Sequence, residues 1–521
     1  MAAPGGCDRD KPIAAFMAFG TLGDVYPIAA VAAAFVGDVG GSDYEVFFVT
    51  HAAHKSLQSH LEKKGVTFLA VSTPPVLASF EGGNGPNLGP QDLSFSEYKK
   101  ILDHGHKQEC LSLVETIFCH GEVFEGDFIV INFFALEGWN LAELFRVPCV
   151  VAAPYVVPYS APSSFECQFK KEFPLVYDYL CDAPQGKVSW KDVVHWMWPL
   201  FTETWASWRS DFLNLSSIPF TDPVTGLPTW HERVQSPLLL YGFSEDIVEH
   251  PDYWPSNVRV CGFWSVPIDW QFSCQQCSDL AGLVSSEPLS RDPLCSSHVQ
   301  LQSFLKIDTL MPLVFVGLSS IGSMGFLMNP GVFLSVLQVV AEITNFRFIL
   351  LTAGYKPLEE AILTVAAEES SCSRRDLRED GMTLPNGRIF CFSGSIAYEW
   401  LFQRCAISVH HGGSGSTAAA LRTGIPQVIC PFFRDQFYWA ERMFWLGVAL
   451  EPLKRHLLQP ENSSSTCIRK AANMFAKALD RAHSPEIQKR AAEISQRISR
   501  QDGASEAVRI LKREMSSPSG G

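Results

Sequence analysis

The sequence predicts an α/β protein built from two doubly wound parallel-sheet domains. The first observation is that short apolar runs alternate with amphipathic stretches along the chain, a pattern typical of parallel strands joined by helices. The second is length, because 521 residues exceed what one ordinary hydrophobic core organises. With 47% hydrophobic and 18% charged residues, the chain can bury large cores and is expected to be globular.

Two series of strands follow one another in the sequence. In the first, the apolar run 13–19 ends in a Gly-Thr-Leu-Gly-Asp loop before an Ala/Val-rich helix, and further strands are predicted at 44–50, 128–133 and 148–152. The second series follows a Ser/Pro/Asp-rich stretch that is typical of a linker. Its strands are predicted at 313–317, 346–351, 388–392, 407–409 and 427–431.

This pattern predicts the division of the chain. It comprises a flexible N-terminus (1–12), a first domain (13–284), a linker (285–297), a second domain (298–483), C-terminal helices (484–515) and a tail (516–521). Ser484 and Pro485 indicate a helix start. The apolar residues that follow recur at helical spacing, so this helix packs one face against a domain: Ile487, Ala491, Ile494 and Ile498.

Charge and apolar patterning exclude some function classes. A formal net charge of -14 argues against a nucleic-acid partner, because binding to a polyanion requires a basic surface. The N-terminal residues lack the apolar stretch of a signal peptide, and no uninterrupted apolar run reaches about 18 residues. We therefore expect a cytoplasmic protein that makes at most peripheral contact with membranes.

The cysteines predict reduced thiols. Their number is odd, fifteen, and they are scattered through a long chain, which does not fit a disulfide framework. Cys274 and Cys277 form one Cys-x-x-Cys pair. Because no second cysteine pair stands at zinc-finger spacing, we expect a loop with two thiols and no metal.

Residues 405–431, CAISVHHGGSGSTAAALRTGIPQVICP, carry the strongest chemical signal. A strand ends at His410 and His411, a Gly/Ser loop follows, and a helix runs to a cap at Gly424. Backbone N–H groups and the positive end of the helix dipole suit a diphosphate. His411 would donate a ring N–H to the phosphate oxygens and help the diphosphate to leave. The alternative is a tight turn without a ligand. The expected cradle is Gly412, Gly413, Ser414, Gly415, Ser416 and Thr417.

These residues resemble a known signature. The string HHGGSGST, followed by ALRTGIPQ and PFFRDQ, is similar to the donor-binding segment of the sterol and antibiotic glycosyltransferases in the UDP-glycosyltransferase superfamily. The resemblance implies the GT-B fold, with two Rossmann-like domains facing a central cleft. It also implies inverting transfer of a hexose, expected to be glucose, from a UDP-sugar co-substrate to a sterol or similar lipophilic alcohol, without a cofactor. In this family the acid-amide pair, here Asp435 and Gln436, bonds the sugar hydroxyls.

The resemblance extends to other segments. GLSSI at 317–321 matches a family loop that places Ser320 near the diphosphate, and the last helix commonly packs on the first domain. GTLGDVYP at 20–27 is similar to G-T-R-G-D-V-Q-P of the sterol enzymes. This match implies that Gly23 lies at the donor site and that Asp24 is the base that deprotonates the acceptor. The alternative role for Asp24 is to cap a helix N-terminus.

The acceptor side is less strongly indicated. A Trp-rich stretch at 189–215 has apolar residues at helical spacing, and we expect Trp196 and Trp205 either to wall an acceptor pocket or to form core. Leu22, Tyr26 and Tyr398 depart from the family pattern. These departures motivate the alternative of a catalytically degenerate protein that binds a nucleotide sugar or a lipid.

Overall fold

The computed structural model describes residues 9–38, 43–75, 95–118, 123–157, 161–202, 205–216, 221–222, 224–225, 227–228, 235–284, 293–307, 310–369, 377 and 381–515. They divide into two compact units. The first unit contains the described residues of 9–75, 95–265 and 501–515, and the second unit is Val266–Arg500. Each unit is built on one sheet.

The first unit contains a parallel sheet with the strand order β3-β2-β1-β4-β5-β6-β7. Its strands are β1 (Ile13–Met17), β2 (Glu45–His51), β3 (Val66–Val71), β4 (Phe128–Ile131), β5 (Cys149–Ala153), β6 (Leu238–Tyr241) and β7 (Val258–Val260). Every residue of β1 and β4 is buried. Continuous burial is the reason these strands have apolar rather than alternating sequences.

Helices connect and cover this sheet. They are α1 (Leu22–Gly37), α2 (Gln58–Glu62), α3 (Phe95–Ile117), α4 (Leu136–Phe145), α5 (Phe165–Glu172), α6 (Pro174–Cys181), α7 (Trp190–Asp192), α8 (Pro199–Thr202), α9 (Ala206–Asp211) and, from the end of the chain, α20 (Gly503–Met515). Helix α20 packs on α1. None of the helices in the described part of the chain is long and apolar enough to cross a membrane.

The second unit contains a sheet with the order β10-β11-β9-β8-β12-β13, parallel except for the β10–β11 pair. Its strands are β8 (Leu313–Gly317), β9 (Arg347–Leu351), β10 (Met382–Thr383), β11 (Ile389–Phe392), β12 (Ile407–His410) and β13 (Gln427–Ile429). Its helices are α10 (Gln275–Val284), α11 (Val299–Leu305), α12 (Ser319–Ser323), α13 (Pro330–Ile343), α14 (Lys356–Glu369), α15 (Tyr398–Phe402), α16 (Ser414–Thr423), α17 (Asp435–Trp445), α18 (Ser465–Ala482) and α19 (Pro485–Ile498).

The division of the chain differs in two places from the one predicted. The second unit begins at Val266, before the expected linker, because α10 and the residues around it pack into its core. The two C-terminal helices also separate. Helix α19 packs on α16 in the second unit, whereas α20 belongs to the first unit.

The Trp-rich stretch is not one continuous helix. It is divided into α7, a π-helical turn at Val193–Met197, α8 and α9. Pro199 lies at the break, where its ring and missing N–H prevent a regular helix from continuing. The apolar spacing therefore predicted helical residues correctly but not their continuity.

A buried ion pair ties the start of β1 to the residues before β4. The Arg9 guanidinium donates to both carboxylate oxygens of Asp127, at 3.0 and 2.6 Å. The same carboxylate accepts the backbone N–H groups of Ile13 at 2.7 Å and Phe124 at 2.8 Å. The Asp127 side chain is 0% exposed, so all four bonds are shielded from water.

We expect Asp127→Asn to destabilise the first unit by about 3–5 kcal/mol, because it leaves the buried Arg9 charge uncompensated. Urea-induced unfolding followed by tryptophan fluorescence measures the effect. The matched control is Asp38→Asn, because Asp38 pairs with Lys512 while its own side chain is 51% exposed. That change should cost less than about 1 kcal/mol. Equal stability of the two variants would contradict the assignment.

Candidate functional site

The candidate residues lie where the strand order of each sheet reverses. In the second unit the chain runs from β8 outward through β9 to β11 and then returns to place β12 on the other side of β8. In the first unit β4 returns beside β1 in the same way. Loops at such points diverge above and below the sheet and leave a crevice at the carboxyl ends of the strands, where α/β proteins bind ligands.

The Gly/Ser loop after β12 leads into the uncapped N-terminus of α16. Gly413 is the N-cap residue and provides no side-chain cap. The first three helical N–H groups, from Ser414 to Ser416, have no acceptor within an α-helix. They point outward at the positive end of the helix dipole, which is the arrangement that binds anions.

Thr417 departs from the predicted cradle. Its N–H donates to the Gly413 carbonyl at 3.0 Å, inside the helix, and its side chain is completely buried. Neither group is available to a ligand in this structure. The expected cradle is therefore reduced to the loop glycines and the Ser414–Ser416 N–H groups, without Thr417.

The buried His410 holds this loop in shape. Its Nδ1 accepts the Gly412 N–H at 3.0 Å, so the ring proton is on Nε2, which donates to Gln427 Oε1 at 3.0 Å. Burial, with a smaller effect of the neighbouring His411, lowers the pKa of His410 to about 3. The ring is thus neutral, and it connects β12, the loop and β13. The sequence analysis assigned no role to His410.

His411 lies beside the end of β8. The strand register pairs His410 with Gly317, and His411 follows directly. Burial lowers the pKa of His411 to about 4, while its hydrogen bond to the Gly317 backbone opposes this shift. The ring also lies over Gly413, where a side-chain carbon would come within 2.5 Å of Nε2. His411 is therefore neutral near pH 7, and Gly413 leaves room for its ring.

The loop packs against the turn that begins α17. A side-chain carbon on Gly412 would lie 3.1 Å from the Gln436 carbonyl oxygen, so the two segments are in contact. Asp435 is the half-buried first residue of α17, and it follows Arg434, whose φ of 52° is uncommon for a residue with a side chain. Such strain is found at functional sites more often than elsewhere.

The structure modifies the role expected for Gln436. Its Oε1 accepts the N–H groups of Phe432 at 2.9 Å and Phe433 at 3.2 Å. This oxygen shapes the turn, and the side-chain NH₂ is the group that remains for a ligand. The Gln436 NH₂, a donor, is therefore the part of the amide that a sugar hydroxyl would contact.

Two other residues of the second unit were singled out. Ser320 lies in α12, directly after β8 at the same edge of the sheet, although its side chain is outside the described residues. Tyr398 packs its ring edge-on against Phe315 at 5.1 Å and stacks on Phe402 at 5.2 Å between ring centroids. This packing accounts for the departure at Tyr398, which fills core at the start of α15.

In the first unit, Asp24 makes the contacts of a residue that caps a helix N-terminus, which was the alternative to its role as base. Its Oδ2 accepts both the N–H and the hydroxyl of Thr21, each at 2.7 Å, in a capping box that begins α1. Gly23 lies in the first turn of the same helix. The structure thus places both residues at the carboxyl end of β1 and neither assigns nor removes a catalytic role.

A cavity of about 220 Å³ opens beside this loop. Thr73 Oγ1 lies 2.7 Å from His106 Nδ1, and Glu137 Oε1 lies 3.8 Å from His106 Nε2. Glu137 is 7% exposed, and its Oε2 has no hydrogen-bond partner within the described residues. The lining comprises Phe19, Gly20, His51, Thr73, Pro74, Pro75, Leu102, Asp103, His106, Phe134 and Glu137.

The sequence did not predict this polar cavity; the residues expected on the acceptor side were two tryptophans. Trp196 is fully buried, with its ring edge-on to Trp139, and Trp205 is 3% exposed beneath the Lys107 ammonium. Neither lines the cavity, so their packing favours the core alternative. Glu137 and His106 belong to no local motif, because they come from different helices that meet only in the fold.

We expect Gly412→Ala to destabilise the second unit more than an ordinary glycine substitution at positive φ. Gly412 has a φ of 88°, and its new methyl would lie 2.8 Å from Ile429 Cγ2. The control is Gly354→Ala, which has a φ of 79° with nothing within 4 Å. The control should cost about 1–2 kcal/mol in thermal unfolding, and Gly412→Ala should cost more because crowding adds to strain. Equal costs would show that the loop accommodates the methyl.

The sequence is similar to curated glycosyltransferases. A family profile described as Erythromycin biosynthesis protein CIII-like, C-terminal domain, matches residues 375–501. The chain is 40% identical over 519 residues to a sterol 3-beta-glucosyltransferase of Komagataella phaffii, a match that covers 96% of this chain and 34% of that protein. A sterol 3-beta-glucosyltransferase of Debaryomyces hansenii is 25% identical over 507 residues, with coverage of 96% and 26%. The chain therefore spans about a quarter to a third of the length of these two relatives.

Solved structures show the same fold. The glycotransferase of kitacinnamycin has a TM-score of 0.54 at 14% identity, covering 97% of this chain and 100% of that chain. A UDP-glucosyltransferase from Polygonum tinctorium has a TM-score of 0.54 at 12% identity, with coverage of 98% and 100%. At such identities the likeness concerns the fold alone, and it confirms the GT-B prediction. Motifs, relatives and fold agree: the chain has the GT-B fold and is similar in sequence to sterol 3-beta-glucosyltransferases.

Proposed function

We propose that this chain is an inverting glycosyltransferase that moves glucose from a UDP-sugar to the hydroxyl of a sterol or similar lipophilic alcohol. The observation that carries the proposal is the uncapped N-terminus of α16 packed beside the Asp435–Gln436 turn. Its outward N–H groups suit the diphosphate, and a carboxylate beside them suits the sugar hydroxyls. The sterol 3-beta-glucosyltransferases similar to this chain support the choice of sugar and acceptor.

His411 would contact the diphosphate through the ring nitrogen that does not bond the Gly317 backbone, and it donates there only after gaining a second proton, which the negative charge of the diphosphate favours. Its lowered pKa of about 4 leaves it uncharged near pH 7. Hydrogen bonds from the α16 backbone, and from His411 once it is protonated, would stabilise the charge that develops as UDP departs. No step in this scheme requires a cofactor.

The cavity of the first unit would receive the hydroxyl-bearing end of the acceptor. Its 220 Å³ is less than the roughly 300–1,000 Å³ typical of pockets that enclose a drug-sized ligand. It therefore suits one end of a large acceptor. Glu137 Oε2 would accept a hydrogen bond from the hydroxyl there, because a buried carboxylate oxygen is stabilised by a donor. A lipophilic acceptor of this kind would be reached from the cytoplasm at a membrane surface.

Asp24 remains the proposed base, with Glu137 as the group that positions the acceptor. The two bonds from Thr21 hold the Asp24 carboxylate in one orientation, as a positioned base requires. Burial, together with the neighbouring His106 and His54, lowers the pKa of His51 to about 3. His51, which lines the same cavity as Gly20, is thus neutral and adds no positive charge that would weaken a carboxylate base at this edge.

We expect the purified chain to release UDP and form hexosylated product with UDP-glucose and a sterol, as detected by mass spectrometry. Asp435→Ala should lower kcat/KM by about 10²–10⁴-fold, because two hydrogen bonds to a charged group contribute about 1.5–3 kcal/mol each. Affinity for UDP itself should not change, since UDP lacks the transferred hexose. Glu441→Ala, an exposed change on the same helix, is the control. Binding of UDP without product, across donors and acceptors, would instead support a degenerate binding protein.

The variants Asp24→Asn and Glu137→Gln distinguish the roles proposed for these two carboxylates of the first unit. We expect Asp24→Asn to reduce kcat by about 10²–10⁴-fold with UDP affinity intact. Glu137→Gln should mainly raise the acceptor KM, because it removes a binding contact. Thr21→Ala controls for the helix cap, which contributes about 1 kcal/mol to stability. Full turnover in Asp24→Asn, or a larger kcat loss in Glu137→Gln, would reassign the base.

A further inference from the structure

Three cysteines and a histidine of the second unit converge outside the proposed transferase site. Cys274 directly precedes α10 and Cys277 lies in its first turn, whereas Cys295 directly precedes the 3₁₀ turn Ser296–His298 and His298 ends it, before α11. One ligand atom from each side chain lies within 4.8 Å of every other. Cys277, Cys295 and His298 are buried, and Cys274 is half-buried.

The separations fit the edges of a small tetrahedron. Cys274 Sγ lies 3.7 Å from Cys295 Sγ, Cys277 Sγ lies 3.5 Å from His298 Nδ1, and Cys295 Sγ lies 3.2 Å from the same nitrogen. Zinc bonds to sulfur at about 2.3 Å and to nitrogen at about 2.0–2.1 Å, so tetrahedral edges are about 3.5–3.8 Å. Four side chains arranged in this way can all reach one ion after small movements.

The spacing along the chain is also that of a zinc site. Cys-x-x-Cys at 274–277 is followed by Cys-x-x-His at 295–298, and paired ligands of this kind are the usual elements of structural zinc centres. The expectation of no metal rested on the lack of a second cysteine pair, whereas the second pair in this chain ends in a histidine. That expectation, a loop with two thiols, is wrong about the surroundings of Cys274 and Cys277.

Hydrogen bonds from neighbouring groups hold the ligand residues of the cluster, as is usual at metal-binding sites. Cys277 Sγ accepts the Cys295 backbone N–H at 3.3 Å. The Gln302 amide donates to the carbonyls of Leu294 at 2.9 Å and Cys295 at 3.2 Å, which holds the second ligand turn in place. Such contacts orient the ligands before an ion arrives.

We infer that Cys274, Cys277, Cys295 and His298 bind one structural Zn²⁺. The three thiols lose their protons to solvent as they become thiolates, and the neutral imidazole adds the fourth bond through Nδ1. Three thiolates and an imidazole favour zinc over calcium or magnesium, which prefer oxygen ligands. The coordination is closed, so the ion would crosslink α10 to the turn before α11 and would not contact substrate.

A disulfide is the main competing explanation. It would join Cys274 to Cys295, but it would not explain why Cys277 and His298 lie beside this pair. The two explanations predict different masses and different metal contents, so one preparation of the full chain distinguishes them.

The test is to purify the full chain from zinc-supplemented medium under reducing conditions and measure bound metal by mass spectrometry. We expect one zinc per chain, and removal with a chelator should lower the thermal unfolding midpoint. Cobalt in place of zinc should give the visible absorption of tetrahedral Co²⁺ and a near-ultraviolet thiolate charge-transfer band. This spectrum comes from the wild-type chain and requires no variant to fold.

Variants locate the ion. Cys295→Ser and His298→Ala should lose the zinc, whereas Cys405→Ala, a buried cysteine of the same apolar cluster, should retain it. Wild-type chain without zinc, a Cys274–Cys295 disulfide in the reduced-purified protein, or full zinc content in His298→Ala would each overturn the inference. None of these measurements depends on transferase activity.

Discussion

Parallel strand pairing is the constraint on which the candidate site depends. It delivers the carboxyl ends of all parallel strands to one edge of a sheet, so the loops that follow β8 and β12 emerge together in the second unit. The loops after β1 and β4 do so in the first. Chemistry-bearing residues far apart in the sequence therefore meet without any local motif that joins them. The arrangement also explains why substitutions in the buried strands would disturb the site indirectly, through the register that places His411 beside Gly317.

The Gly/Ser loop after β12 combines small residues with buried neutral histidines. Glycine at 412 allows a φ of 88° and close packing on the Gln436 backbone, and glycine at 413 leaves room for the His411 ring. His410 is neutral because burial disfavours its charge, and its unprotonated nitrogen is what accepts the Gly412 N–H. A positive charge at His410 would remove that acceptor. The shape of the loop thus depends on His410 remaining neutral.

Three polar clusters show how differently similar residues are used. Asp24 has its Oδ2 saturated by Thr21 at a helix start, whereas Glu137 keeps an oxygen that no described residue binds. The first arrangement gives stability and fixed orientation, and the second gives affinity for a donor from outside the chain. The Cys274-to-His298 cluster is a third case, because its thiols and imidazole are already spaced for an ion.

The sequence by itself determined the fold class, most of the strands and the Gly/Ser loop after β12, because these depend on periodicity and on residues adjacent in the chain. It did not predict β3, β6, β7 or β10. It also showed Cys274 and Cys277 as a pair. The tertiary structure decided which residues are available: Thr417 and Trp196 are buried, the Gln436 oxygen is used by its own turn, and α19 and α20 belong to different units. It also assembled the Glu137–His106 cavity and the four-residue cysteine and histidine cluster. The physical reason is that burial, tautomer and long-range side-chain contacts arise from packing between elements, and no local pattern encodes them.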